Sequence, residues 1–241
     1  MPGLYRDEAI VLKTIKLGEA DRIVTVFTRG HGKVRAVAKG IRKTKSRFGG
    51  RLEPFSRVDL MLYKGKGALD TITAADILSS FDELRADYAR LTAGAVAVEV
   101  VEKITEERER SPSVYALLLA GLESLAQGRC DNVVPAFLVK LLSLSGYHPQ
   151  LQVCVSCGTG ALLSGFSAAA GGAVCEECGR VDRGAQRLAP DRIALLARLL
   201  TSDFGYPSDP QAGLDVTAAL RSYAEYHLER PLKSLRFLVP A

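Results

Sequence analysis

Residues 154–178 read CVSCGTGALLSGFSAAAGGAVCEEC. Cys154 and Cys157 bracket two residues, Cys175 and Cys178 bracket two more, and 17 residues separate the pairs. Each Cys-x2-Cys turn aims two thiolates at one point, so two such turns joined by a hairpin make a tetrahedral four-sulfur site. Zinc is the expected ion, one per chain. An iron–sulfur cluster uses the same ligands, but no other residue pattern points to redox work. Four sulfur ligands leave no position for water, so the ion is expected to be structural rather than catalytic. The 17 intervening residues carry no charge, and Arg180, Arg183 and Arg187 are diluted by Glu176, Glu177 and Asp182. The ribbon is therefore expected to clamp the local fold. The fifth cysteine, Cys130, stands alone near a predicted helix start and is expected to be a small buried or half-buried residue with no functional role.

A second stretch, TRGHGKVRAVAKGIRKTKSRFGGR at residues 28–51, holds nine Lys or Arg and no acid. Residues 1–80 carry 16 basic and 8 acidic side chains, a net +8, whereas residues 81–241 carry a net −3. Charge this localised is the footprint of a polyanion binder. On a strand, KVRAVAK would turn Val34, Ala36 and Ala38 inward and Lys33, Arg35, Val37 and Lys39 outward. The following GIRKTKSRFGGR adds Arg42, Lys43, Lys45, Arg47 and Arg51 in a loop. Lys and Arg suit a phosphate backbone, which needs no fixed register. Aromatic side chains are scarce: the first 80 residues hold Tyr5, Phe27, Phe48, Phe55 and Tyr63, and the chain has no Trp. Phe48 is the candidate for stacking on a base; the competing reading folds it onto the barrel. Sequence-tolerant binding is expected.

The elements that position these residues follow from periodicity. Residues 8–16, 21–28, 33–39, 56–63 and 68–74 read as five short strands separated by glycine-containing breaks. A five-stranded OB-type barrel fits, with an SH3-like barrel as the rival. From Asp76 the spacing changes: Ile77, Phe81, Leu84, Tyr88, Leu91, Ala95 and Val98 fall on one helical face. Ser111-Pro112 predicts a helix start and Gly128 a stop. Further helices are predicted over 132–145, 190–202 and 212–229. The expected organisation is α+β and multidomain: an OB-type barrel at 1–80, a helical domain at 81–150 and 183–241, and a zinc ribbon inserted at 151–182.

Composition sets limits. At 241 residues, 47% apolar and 24% charged, the chain is globular rather than disordered. No apolar run reaches the roughly 20 residues of a membrane span. MPGLYRDEAIVL places acids where a signal peptide is basic and apolar, so a cytosolic protein is expected. GHGK and KGKG lack the spacing of a nucleotide phosphate loop. His31, His148 and His227 are scattered, and the Asp7-Glu8 and Glu106-Glu107 pairs read as solvated surface. No active site assembles, so the expectation is not an enzyme.

EAIVLKTIKLGEADRIVTVFTRGHGKVRAVAKGIRKTKSRFGGRLEPFSRVDLMLY, through GEADRIVTVFT, GK, AKG-x-R, KSR and LEPF, resembles the bacterial recombination mediator RecO family over residues 5–63. The Leu144 to Cys178 region, with SGYHPQL before the cysteines, is similar to zinc-bearing members. The resemblance implies an OB fold, a helical domain and a zinc ribbon. It implies binding of single- and double-stranded DNA, strand annealing, and help in placing RecA on strands coated by single-stranded-DNA-binding protein. Implied partners are RecR, the acidic C-terminal tail of the coating protein and, as a further candidate, RecF; the implied location is cytoplasmic and nucleoid-associated. DNA contact carries over onto Lys33, Arg35, Lys39, Arg42, Lys43, Lys45, Arg47 and Arg51. No motif anchors the tail pocket. Residue by residue, the pattern also fits a zinc-ribbon transcription or RNA-binding factor, which annealing of arbitrary sequences would distinguish.

Overall fold

The computed structural model describes residues 3–160 and 162–238. Five strands lead: β1 (Gly3–Leu17), β2 (Asp21–Thr28), β3 (Gly32–Ala38), β4 (Arg57–Lys64) and β5 (Asp70–Ser79). They close a barrel in the order β1-β2-β3-β5-β4. β1 is long enough to serve both seams, pairing its C-terminal half with β2 and its N-terminal half with β4. A bulge between Val11 and Lys13 lets one strand turn from one partner to the other. The barrel closes through a short parallel contact, Ala36 with Asp70 and Val37 with Thr71. This connectivity is the OB type, and it decides against the SH3-like rival. β3 alternates as its sequence predicts, with Val34, Ala36 and Ala38 buried inside beside Val11, Val26, Leu60 and Ile72.

The helical face predicted from Asp76 is corrected. β5 runs on to Ser79 because Asp76, Ile77 and Ser79 pair with β4, and ladder hydrogen bonds override the spacing. α1 (Asp82–Ala86) is short, and Asp87 then caps α2 (Tyr88–Ile104), its carboxylate accepting the Arg90 N–H at 2.9 Å. The cap resets the helical phase. Of the predicted face Phe81, Leu84 and Val98 are buried, but Ile77, Tyr88 and Leu91 are exposed, and α2 also buries Ala93, Val96, Ala97, Val100 and Val101 at helical spacing. α3 (Pro112–Ala126) starts at Ser111-Pro112, and α4 (Val133–Leu144) fills the predicted 132–145 window.

The ribbon follows: β6 (Leu163–Ser167), β7 (Gly172–Cys175), α5 (Glu176–Val181) and β8 (Gln186–Arg187). β6 pairs with both β7 and β8, so this sheet reaches past the expected limit at 182. α6 (Pro190–Thr201) and α7 (Pro210–Leu228) complete the helices, and a 3-10 turn spans Ser234–Phe237.

One apolar core joins these parts. Ile10, Leu12, Phe27 and Phe55, from the outside of the barrel and its loop, pack in the same cluster as the helices and Phe166 and Ala173 of the ribbon. The loop after α2 completes the seal. Gly32 has φ +67 and lies so close to that loop that a Cβ would sit 1.9 Å from the Glu109 carbonyl oxygen. Only glycine fits there.

Candidate nucleic-acid interface and metal centre

The basic loop, residues 39–56, is held to the barrel from below. Ile41, Phe48 and Leu52 are buried in the barrel core. Polar ties add direction: the Gly40 N–H donates to Asp21 Oδ1 at 2.7 Å, and the Arg42 N–H and guanidinium donate to the Ala20 and Gly18 carbonyls. Lys39, Arg42, Lys43, Lys45, Arg47 and Arg51 stand exposed on a loop anchored through these contacts. The ion pairs found nearby, Arg22–Glu53 at 3.0 Å and Arg35–Glu107 at 3.6 Å, involve none of these six cations.

Two predicted contact residues lie elsewhere. Phe48 is 1% exposed, inside the barrel core, with the Arg47 guanidinium over its ring at 4.9 Å. Its ring has no free face for a base, and burial of a large aromatic in the barrel mouth is the reason. Lys33 points along the barrel to α2, where its Nζ donates to the carbonyls of Glu102 and Thr105 at the helix C-terminus. Those carbonyls lack helical partners, and an ammonium satisfies them. Burial holds the Lys33 ammonium below its ordinary pKa, against the pull of Glu102, Glu106 and Glu107. Arg35 shares its charge with Glu107. The acid-free sequence window is thus partly neutralised in space, from a loop some 70 residues away.

In the sequence KGKG reads as a break between strands and fails as a nucleotide phosphate loop. In the fold it is the turn from β4 to β5, bringing exposed Lys64 and Lys66 beside exposed Tyr63. The end of a strand next to two glycines was the available signal. His31 is exposed, its Nδ1 2.6 Å from Asp7. Nearby, fully buried Asp70 accepts from the Tyr5 hydroxyl and, at 2.7 Å, from Arg108, pinning the loop after α2 to the barrel. Burial, then the Asp70 carboxylate, pushes the Tyr5 phenol well above its ordinary pKa.

The four cysteines converge. Their sulfur atoms all lie within 4.8 Å of one another, and Cys157 Sγ is 3.8 Å from Cys175 Sγ. The first knuckle is a turn in which the Gly158 N–H donates to the Cys154 carbonyl, with Gly158 at φ +74. The second is the first turn of α5. Burial alone would raise the Cys154 thiol, but backbone N–H groups of Cys175, Cys157 and Ser156 bring it down to about 6. Cys178 is pushed up to about 12 by hydrogen bonding with Cys175, then Cys157 and Cys154. Four thiolates this close repel, and a divalent cation lets all of them ionise. The set can hold a metal ion with every ligand supplied by sulfur. Behind it, Phe166 packs against Tyr223 of α7 with ring centroids 5.4 Å apart, which couples the site to the helical core.

With this geometry in view, comparison with known proteins is decisive. The family described as recombination protein O, N terminal, matches residues 1–81, and recombination protein O, C terminal, matches residues 85–236. The chain belongs to the RecO family. It is 45% identical to the DNA repair protein RecO of Nocardioides sp. over 98% of this chain and 99% of that one. It is 44% identical to the protein of that name from Frankia casuarinae, over 98% of both, and 42% identical to that of Bifidobacterium longum. The family's N-terminal match ends just past β5, and its C-terminal match takes in all four cysteines. No helix among the described residues is long and apolar enough to cross a membrane.

Proposed function

We propose that the chain is a non-enzymatic DNA repair and recombination mediator. It binds single- and double-stranded DNA on the barrel, anneals complementary strands, and with RecR helps load RecA onto strands coated by single-stranded-DNA-binding protein. The observation that carries this reading is the set of six exposed cations, Lys39, Arg42, Lys43, Lys45, Arg47 and Arg51, on a loop anchored by Ile41, Phe48 and Leu52. Annealing requires two polyanions to lie side by side, and a cationic face lowers their repulsion without nucleotide hydrolysis. The names of the relatives supply repair as the context.

Work is divided along the chain. The barrel (1–80) meets DNA. The helical parts (81–150 and 183–241) meet RecR, the tail of the coating protein and, as a further partner, RecF. The ribbon (151–182) holds one structural zinc on Cys154, Cys157, Cys175 and Cys178. A zinc–sulfur bond of about 2.3 Å gives a tetrahedral edge of about 3.8 Å, the separation of Cys157 and Cys175. The place of work is the cytoplasm, at the nucleoid. The test is annealing of arbitrary complementary strands, bare and coated, without nucleotide. Failure on both, with the protein folded, would overturn the annealing reading.

A further inference from the structure

The four clustered cysteines differ in how far solvent reaches them. Cys154 is 1% exposed and Cys175 7%. Both pack with Val174 in an apolar cluster of the ribbon's own, and half-buried Cys178 lies against it. Cys157 alone of the four stands outside that cluster, on a turn where Ser156 and Gly158 are exposed as well. A thiolate shielded by apolar packing is inert, whereas one at the surface offers a nucleophile to an electrophilic oxidant. A partner is at hand across the two knuckles, because Cys157 Sγ lies 3.8 Å from Cys175 Sγ. A disulfide bond is about 2.05 Å long, so the two sulfurs need to close by ~1.8 Å. The exposed turn can supply that movement, since Cys175 is held at the end of β7 by pairing with Leu163.

We propose that Cys157 and Cys175 form an oxidation site, at which a hydroperoxide converts the pair to a disulfide and the structural ion is released. The proposal rests on the zinc reading of the ribbon and adds its regulation. The hydroperoxide is the two-electron oxidant. The Cys157 thiolate attacks one peroxide oxygen, the O–O bond breaks, a sulfenic acid forms and the other oxygen leaves as hydroxide or alkoxide. The Cys175 thiolate then attacks the Cys157 sulfur; the S–S bond forms, the S–O bond breaks and hydroxide leaves. Two thiolates have then given up two electrons. Cys154 and Cys178 remain, too few to complete a tetrahedral site. The choice of pair has a structural consequence. A bond inside one knuckle would join residues three apart and leave the hairpin open. A bond from Cys157 to Cys175 spans 18 residues and keeps the knuckles together, as the ion does. The oxidised ribbon thus stays close to its reduced shape and can be restored. Cys175 lines a cavity of about 620 Å3, through which a small thiol can reach the disulfide. What loosens is the grip of the ribbon on the helices, where Phe166 packs against Tyr223.

The test treats the full-length, zinc-loaded chain with dilute hydrogen peroxide beside a chromogenic zinc chelator. Cys130, exposed rather than buried as the sequence predicts, lies outside the cluster and is the competing thiol. Cys130→Ser should therefore release zinc at the wild-type rate. In that variant the loss of one zinc should accompany the loss of two of the four remaining thiols. Peptide mapping of the unmodified protein without reductant should recover Cys157 joined to Cys175. The thermal midpoint should fall on oxidation and return with dithiothreitol and added zinc. Disulfides confined to Cys154–Cys157 or Cys175–Cys178 would overturn the proposal. So would oxidation of Cys130 alone with zinc retained, or release of zinc that a thiol reductant fails to reverse. Absence of zinc from the untreated protein would instead overturn the zinc reading on which the proposal rests.

Discussion

At the scale of single residues, the lesson is where a side chain's neighbours come from. Phe48 sits between Arg47 and Gly49 in a run that reads as solvent-exposed, yet it fills the barrel mouth. Phe48→Ala should lower stability by about 3–5 kcal/mol, read by urea unfolding. Phe48→Leu should keep most of the stability and the DNA affinity; a large affinity loss there without loss of fold would restore a stacking role. Lys33 teaches the same from the polar side. Its partners are backbone carbonyls of α2, invisible to any charge count. Lys33→Met should therefore cost about 1–2 kcal/mol of stability while changing DNA affinity less than Lys43→Met does. The inward trio Val34, Ala36 and Ala38 was legible because strand alternation is local. For Phe48 the sequence left stacking and burial both open, and the fate of Lys33 was not legible at all, because each depends on a surface that forms only when distant segments meet.

At the scale of elements, the five strands were legible and their closure was not. Short β-branched runs between glycines predict strands, but the double use of β1 and the parallel β3–β5 contact are facts of register. The start of the first helix was not legible because no glycine or proline marks the turn at Ser80 and Phe81, where Phe81 takes a positive φ, and pairing with β4 claimed Ile77. The cysteine ribbon was legible from spacing alone, except for β8, whose two residues carry no strand pattern of their own. One zinc per chain is expected by metal analysis, and Cys154→Ser should lower thermal stability more than it lowers DNA affinity. The reverse order, with the fold intact, would move the ribbon into the DNA site. The C-terminal turn makes a pH-dependent latch on α2. Burial raises the Glu99 carboxyl, but Lys103, the Ser234 hydroxyl and the N–H groups of Ser234 and Lys233 outweigh it and hold it below its ordinary value. A depressed carboxylate contributes stability above its unfolded pKa, about 4.3, and that contribution is lost as pH falls through the lower folded value. Glu99→Gln should thus be less stable than wild type at pH 7, the gap narrowing below about pH 4. A gap that persists undiminished into acid would show that Glu99 acts through packing alone.

For the whole molecule, the barrel and helices share one core, so the chain works as a unit. Ile10, Leu12 and Phe27 on the outer barrel wall are buried by the helices, and a fragment of residues 1–80 would leave them bare. Function is better dissected in the full chain. Charge divides the surfaces: the barrel end is basic, the remainder slightly acidic. Binding led by about four to six phosphate contacts should give a log–log salt slope of about −3 to −4 on single strands. Reversing Lys39, Arg42 and Lys43 to Glu should flatten that slope and weaken all sequences alike. The central claim is that these loop cations bring two strands together. Its most direct measurement is annealing of complementary strands coated by single-stranded-DNA-binding protein, without nucleotide, by wild type and by the triple charge-reversal variant. The account predicts annealing by the wild type and little above background by the folded variant. Equal annealing by both would contradict it.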